Sequence, residues 1–230
     1  MKPVIIYSIQ RTRSTATLYS CKRDIKIREP FNSGQMFKNL NHIYCDLHRS
    51  KFHKIFVDIS GWDNLIIRMN NANTVTKIIG INLYTFLPSR KWFEDTVNDE
   101  THDIFVLERE NREELLLSWI IAQYFGHSHQ VESESYEFTV PESMLHNIIH
   151  SVDQFLRFYP KKGQVITYEN LPSSHFDKNL NQRMIDQDSK SKYKYFKNID
   201  VFRNHIRHIL DYYKDEWDSK IRSLNNGKLL

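Results

Sequence analysis

Residues 11–16 place Arg11, Thr12, Arg13, Ser14, Thr15 and Ala16 directly after a run of buried-type residues, Val4–Tyr7. Two guanidinium groups and three hydroxyls in one polar turn suit an anion, because arginine brings fixed charge and forked donors while hydroxyls add hydrogen bonds. Helix-compatible sequence continues from about Ser14 to Arg23. A helix start adds unpaired N–H groups and the favourable end of the dipole. The expected chemistry is the grip of a phosphate-like group. The spacing GxxxxGK[ST] is missing and the first glycine is Gly34, so this is not an ordinary nucleoside-triphosphate cradle.

A second anion ligand set lies further on. The buried-type run Asp103–Leu107 delivers Arg109 to the end of an expected strand, and Asn111, Leu115 and Ser118 follow at helical spacing. An arginine at a strand end and a serine on the next helix can hold a phosphate together, one by charge and one by hydrogen bond. Lys77 sits inside the β-branched run Val75–Ile79. A lysine there must reach an anion or the edge of a sheet, since unpaired burial is costly.

These groups need a frame that brings distant strand ends together. Expected strands are 3–8, Ile55–Ile59, Val75–Ile79, Asp103–Leu107 and Gln164–Tyr168. Expected helices cover about 14–23, 34–48, 89–97, Asn111–Phe125, a segment from Pro141 to Pro160, and about 200–223. Asn111 stands three residues before Glu114, a variant of the capping box. The segment 172–198 is polar and is expected as a long loop or lid. Strands alternating with helices predict one α/β domain over 1–230: a parallel sheet between two helical layers, with ligands beyond the carboxyl ends of its strands.

With those elements in place, Arg11-Thr12-Arg13-Ser14-Thr15 resembles the 5′-phosphosulfate loop of sulfotransferases that use 3′-phosphoadenosine 5′-phosphosulfate (PAPS). The step from Arg109 to Ser118 is similar to the 3′-phosphate motif of the bacterial trehalose 2-sulfotransferase type. VITYENL (165–171) resembles a late strand end of the same family, where it braces the nucleotide site. The three motifs occur in the family's order and span roughly residues 3–171. The resemblance implies a P-loop-like sulfotransferase fold and sulfuryl transfer from PAPS to a hydroxyl, with a carbohydrate among the acceptors, adenosine 3′,5′-bisphosphate as product and no catalytic metal. It places Arg11 near the leaving-group oxygen, and the N–H groups of Thr12 to Ala16 with the Ser14 and Thr15 hydroxyls around the 5′-phosphate. Arg109 and Ser118 fall on the 3′-phosphate. Glu29, in Arg28-Glu29-Pro30-Phe31, falls on the proposed base, with Lys77 near the sulfonate. Ser189–Tyr193 is where such enzymes carry a basic closing loop. One departure concerns geometry: Arg13 stands where the family usually has glycine, which has far more backbone freedom.

Bulk properties narrow the alternatives. Apolar residues make up 40% of the 230, enough for a sizeable core, and the formal net charge is +4. That charge suits a polyanionic ligand, yet no run of five like charges exists to serve as a nucleic-acid tail. Cys21 and Cys45 form no CxxC or zinc pattern, so a reducing compartment, the cytoplasm, is the simplest expectation. The N-terminus reads as a strand rather than a signal peptide, and no apolar run is long enough to span a bilayer. His42, His48, His53 and His102 show no metal-ligand spacing. Trp62, Tyr84 and Trp92 could stack on sugar rings, although core packing is the commoner use of such aromatics. A kinase-like nucleotide transferase and a nucleic-acid-binding protein are the competing classes.

Overall fold

The computed structural model describes residues 1–10, 12–31, 59–84, 87–124, 142–180 and 199–226. Five strands, β1 (Val4–Ser8), β2 (Ile25–Arg28), β3 (Thr74–Ile79), β4 (Asp103–Glu108) and β5 (Gln164–Thr167), form one sheet. Among the described residues the helices are α1 (Ser14–Ser20), α2 (Ile59–Met69), α3 (Gly80–Tyr84), α4 (Leu87–Asn98), α5 (Arg112–Tyr124), α6 (Glu142–Arg157) and α7 (Ile199–Asn226). Every strand pair is parallel, in the order β2-β3-β1-β4-β5.

The sheet is buried on both faces, and strand alternation decides what each face carries. Val4, Ile6, Val75, Phe105, Leu107 and Ile166 pack against Leu18 of α1 and Phe176. Ile5, Tyr7, Ile78, Ile104 and Val106 point the other way, into a larger core built from α2, α4, α5, α6 and α7. The predicted stripe of the last helix is realised, with Phe202, Ile206, Ile209, Tyr213 and Trp217 all buried. No helix among the described residues is long and apolar enough to cross a membrane.

The adjacent strands β1 and β4 are the point where the chain parts. The connection from β1 through α1 leads to β2 on one side, and the connection from β4 leads to β5 on the other. A crevice at their carboxyl ends is the usual ligand position in such sheets. Beside it, α6 closes tightly on α3. A Cβ added at Gly80 would stand 2.6 Å from the Tyr7 hydroxyl oxygen and 2.8 Å from the Phe155 Cα. Only glycine leaves room for Tyr7 to donate its hydrogen bond to the Phe155 carbonyl at 2.8 Å.

Two assignments differ from the sequence expectation. The second strand is Ile25–Arg28, which the sequence reading did not expect; of the expected strand Ile55–Ile59, residues 55–58 lie outside the described residues and Ile59 opens α2. Two cations in four residues hide that strand, yet Lys26 turns its ammonium onto the carbonyls of Cys21 and Arg23. The first helix stops at Ser20, because Cys21 turns extended and bridges to Phe176, with Lys22 N–H donating to the His175 carbonyl at 2.7 Å. The same bridge docks the start of the polar segment 172–198, burying Phe176. Residues 181–198, the expected helix over 34–48, and Cys45, His42, His48 and His53 lie outside the described residues.

Candidate functional site

The loop after β1 turns on Arg13, whose φ of 58° and ψ of 24° lie in the left-handed region. The arginine therefore takes up the backbone conformation a glycine would provide, at a cost on the order of 1 kcal/mol. The Thr17 N–H is bonded back to the Arg13 carbonyl at 3.2 Å, so the N–H groups of Ser14, Thr15 and Ala16 precede the first intrahelical bond. No side chain caps this end among the described residues. Thr12 is fully buried, and its hydroxyl donates to the Ile9 carbonyl at 3.0 Å, closing the turn from within. Arg11 lies outside the described residues.

Lys77 ties this loop to the neighbouring strand end. β3 is an interior strand between β2 and β1, and Lys77 is only 2% exposed on the α1 face. Its ammonium donates to the Thr15 hydroxyl at 2.9 Å and meets a Glu29 carboxylate oxygen at 2.5 Å. The Glu29 backbone N–H also donates to the Lys77 carbonyl at 3.1 Å, and Glu29 itself has a φ of 47°. Burial pushes the Lys77 ammonium below the ordinary lysine range, while the Glu29 charge and hydrogen bond pull it back up. Phe31, two residues on, is buried between Trp62 and Trp92, with ring centroids 6.1 and 5.7 Å away. Those two tryptophans thus serve the core and anchor the segment that carries Glu29.

On the other side of the crevice, Arg109 follows β4 and Tyr168 follows β5. The Arg13 guanidinium lies over the Tyr168 ring, 5.1 Å from its centroid. Burial and a hydrogen bond to Glu169 raise the Tyr168 phenol, while the Arg109 and Arg13 charges both oppose that rise. Arg13 thus lies on the tyrosine supplied by the YENL segment, and the Arg109 charge is felt there as well. Arg109 otherwise makes a long hydrogen bond, 3.5 Å, to the Glu114 carbonyl in the first turn of α5. Asn111 caps that turn, accepting the Glu114 N–H at 2.9 Å. Ser118 is half-buried and its hydroxyl donates to the Leu115 carbonyl at 2.8 Å. To donate to a phosphate it would have to give up that bond.

Glu108 is a site residue that sequence reasoning missed. It closes β4, is buried, and accepts hydrogen bonds from the Trp217 indole N–H at 2.9 and 3.1 Å and from the Tyr159 hydroxyl at 3.3 Å. Burial pushes its carboxyl up to about 7 against the pull of those donors and of Arg112. The signal was present in the alternation, since Ile104, Val106 and Glu108 share a face, but the run Glu108-Arg109-Glu110 reads as a solvated charge cluster. The structure thus gathers Arg13, Ser14, Thr15, Ala16, Glu29, Lys77 and Arg109 along the carboxyl edge of β2, β3, β1 and β4. His102 is buried elsewhere, and no three metal-ligating side chains converge among the described residues. A scan of family models, a search of curated proteins and a search of solved structures each return no significant match to this chain.

Proposed function

We propose that this chain transfers a sulfuryl group from PAPS to a hydroxyl acceptor, with a carbohydrate the leading acceptor class. The observation that carries this reading is three cations on adjacent strands or just beyond them: Lys77 within β3 with its ammonium on Thr15, Arg13 in the loop after β1 and Arg109 after β4. Such a set suits a ligand with two separated anionic groups, which is what a nucleotide phosphorylated at both ends of its ribose presents. The first-turn N–H groups of α1 with Ser14 and Thr15 would take the 5′ end, and Arg109 the 3′ end. The acceptor oxygen attacks sulfur as the bond from sulfur to the 5′-phosphate oxygen breaks, releasing adenosine 3′,5′-bisphosphate. Glu29 accepts the acceptor's proton. Arg11 and Lys77 stabilise charge on the departing oxygen, a contribution of about 3 kcal/mol for a well-aimed donor. Positioning supplies most of the remainder, as in phosphoryl transfer. The family's P-loop-like fold and a cytoplasmic site of action belong to the same proposal.

A thermal-shift series tests it against the competing classes. Stabilisation by adenosine 3′,5′-bisphosphate without magnesium is the expected result. A shift with Mg·ATP alone would point to a kinase-like transferase, and one with oligonucleotide alone to a nucleic-acid-binding protein. No shift with saturating bisphosphate would sink the sulfotransferase reading.

A further inference from the structure

Lys77 has a task in the proposed transfer that its resting contacts oppose. It is assigned to the departing oxygen, yet its ammonium already meets a Glu29 carboxylate oxygen at 2.5 Å. That contact is close and nearly dry, since Lys77 is buried. The Glu29 backbone N–H also donates to the Lys77 carbonyl at 3.1 Å, so the pair is joined through backbone and side chains alike. Arg28 stands 4.0 Å from the same carboxylate oxygen and is half exposed, which makes it the weaker partner. At rest the ammonium is a strut, and its charge is already balanced.

The same ammonium donates to the Thr15 hydroxyl at 2.9 Å. One cation therefore touches two groups with different parts in the reaction: Glu29, which takes the acceptor's proton, and Thr15, which is assigned to the donor's 5′-phosphate. An ammonium carries three N–H groups, and these contacts occupy two, so a donor remains for a further oxygen. What Lys77 lacks is an uncommitted charge, and only a change at Glu29 can supply it.

We propose that Lys77 exchanges its anionic partner during transfer, from the Glu29 carboxylate to the departing 5′-phosphate oxygen, and so ties proton removal to leaving-group departure. This rests on the sulfuryl-transfer reading with Glu29 as base. The acceptor oxygen forms its bond to sulfur and gives its proton to Glu29. The bond from sulfur to the 5′-phosphate oxygen breaks, and its electron pair stays on that oxygen. Glu29 loses one negative charge as the phosphate gains one, so the ammonium turns from the first to the second with the total charge unchanged. At no stage is the buried ammonium left without an anion, which would be costly.

The test measures binding of adenosine 3′,5′-bisphosphate by calorimetry in the full chain, since that product carries the oxygen to which Lys77 turns. Glu29→Gln imitates the protonated base. It should bind bisphosphate about tenfold more tightly than the unaltered chain, the gain expected from one charge-assisted hydrogen bond. Lys77→Met should weaken binding, and adding Glu29→Gln to it should bring no gain. A gain that persists without Lys77 overturns the exchange, because relief of repulsion by Glu29 then explains it. Equal affinity of Glu29→Gln and the unaltered chain overturns it as well. Should either variant fail to fold, the Lys77 ammonium is followed by NMR in the unaltered chain, where burial slows its proton exchange and a Lys77→Arg spectrum identifies the signal. Bisphosphate should move that signal, and an unmoved signal at saturation overturns the exchange. Binding without a gain thus leaves the nucleotide reading intact, whereas no binding by the unaltered chain or by Glu29→Gln removes that reading and the exchange with it.

Discussion

Two buried ionisable side chains stand on strands that flank β1, Lys77 within β3 and Glu108 at the end of β4, and the sheet treats them differently. Lys77 meets an opposite charge at 2.5 Å and a hydroxyl at 2.9 Å. Glu108 meets an indole and a phenol directly, with its charged neighbours Arg112 and Asp218 bound to each other. Burial penalises both, yet only Lys77 has an ionic partner to offset the loss of water. Lys77 therefore acts as a fixed strut between α1 and the Glu29 segment, whereas Glu108 is left free to titrate near neutrality. A paired charge on one face of the sheet and an unpaired one on the other follow from that difference in partners.

The comparison breaks most sharply at Lys77. Lys77→Met leaves the Glu29 carboxylate and the Thr15 hydroxyl without their shared partner, at an expected cost of about 3 kcal/mol in urea denaturation. Under the proposed function it should also remove most sulfuryl transfer. A variant as stable as the parent would show that the ion pair is incidental.

Next in size is the pH dependence at Glu108. Its carboxyl is raised in the folded state, so the folded chain holds a proton that the unfolded chain has already released. Stability from this group is thus present below the ordinary glutamate value and is lost as pH rises toward about 7. Between about pH 5 and about pH 8 the loss amounts to about 2 kcal/mol. Glu108→Gln should flatten that part of the stability profile, and parallel profiles would refute the assignment.

Trp217→Phe keeps one aromatic ring, deletes the donor to both Glu108 oxygens and leaves space where the rest of the buried indole stood. The lost hydrogen bond contributes about 1.5 kcal/mol on top of the cavity, and that part grows above neutrality where the carboxylate needs the bond more. Equal penalties at low and high pH would mean that the indole serves packing alone.

The smallest effect is expected from Arg13→Gly. Relief of the left-handed backbone contributes about 1 kcal/mol and loss of the contact to Tyr168 removes about as much, so the melting temperature should barely move. Bisphosphate affinity, measured by calorimetry, should nevertheless fall. Arg109→Ala should lower it further, because the proposed 3′-phosphate loses its charged partner.

Some of this was legible in one dimension. β1, β3 and β4 announce themselves as runs of buried-type residues, and α6 and α7 as stripes at helical spacing, because hydrophobic periodicity is a local property. Capping by Asn111 is local as well. β2 was not legible, since Ile25–Arg28 carries two lysine or arginine side chains and is a strand only because β3 lies alongside it. Residue types alone singled out Lys77, Glu29 and Arg109 but left open whether they meet.

What the sequence by itself determined, then, is most of the elements, β2 excepted, and the presence of unusual cations within or just after strands. Tertiary structure alone decided that Lys77 bonds Thr15 across 62 residues and that Glu108 bonds Trp217 across 109. The physical reason is that the state of a buried charge depends on its neighbours in space, and chain connectivity places no limit on which neighbours those are.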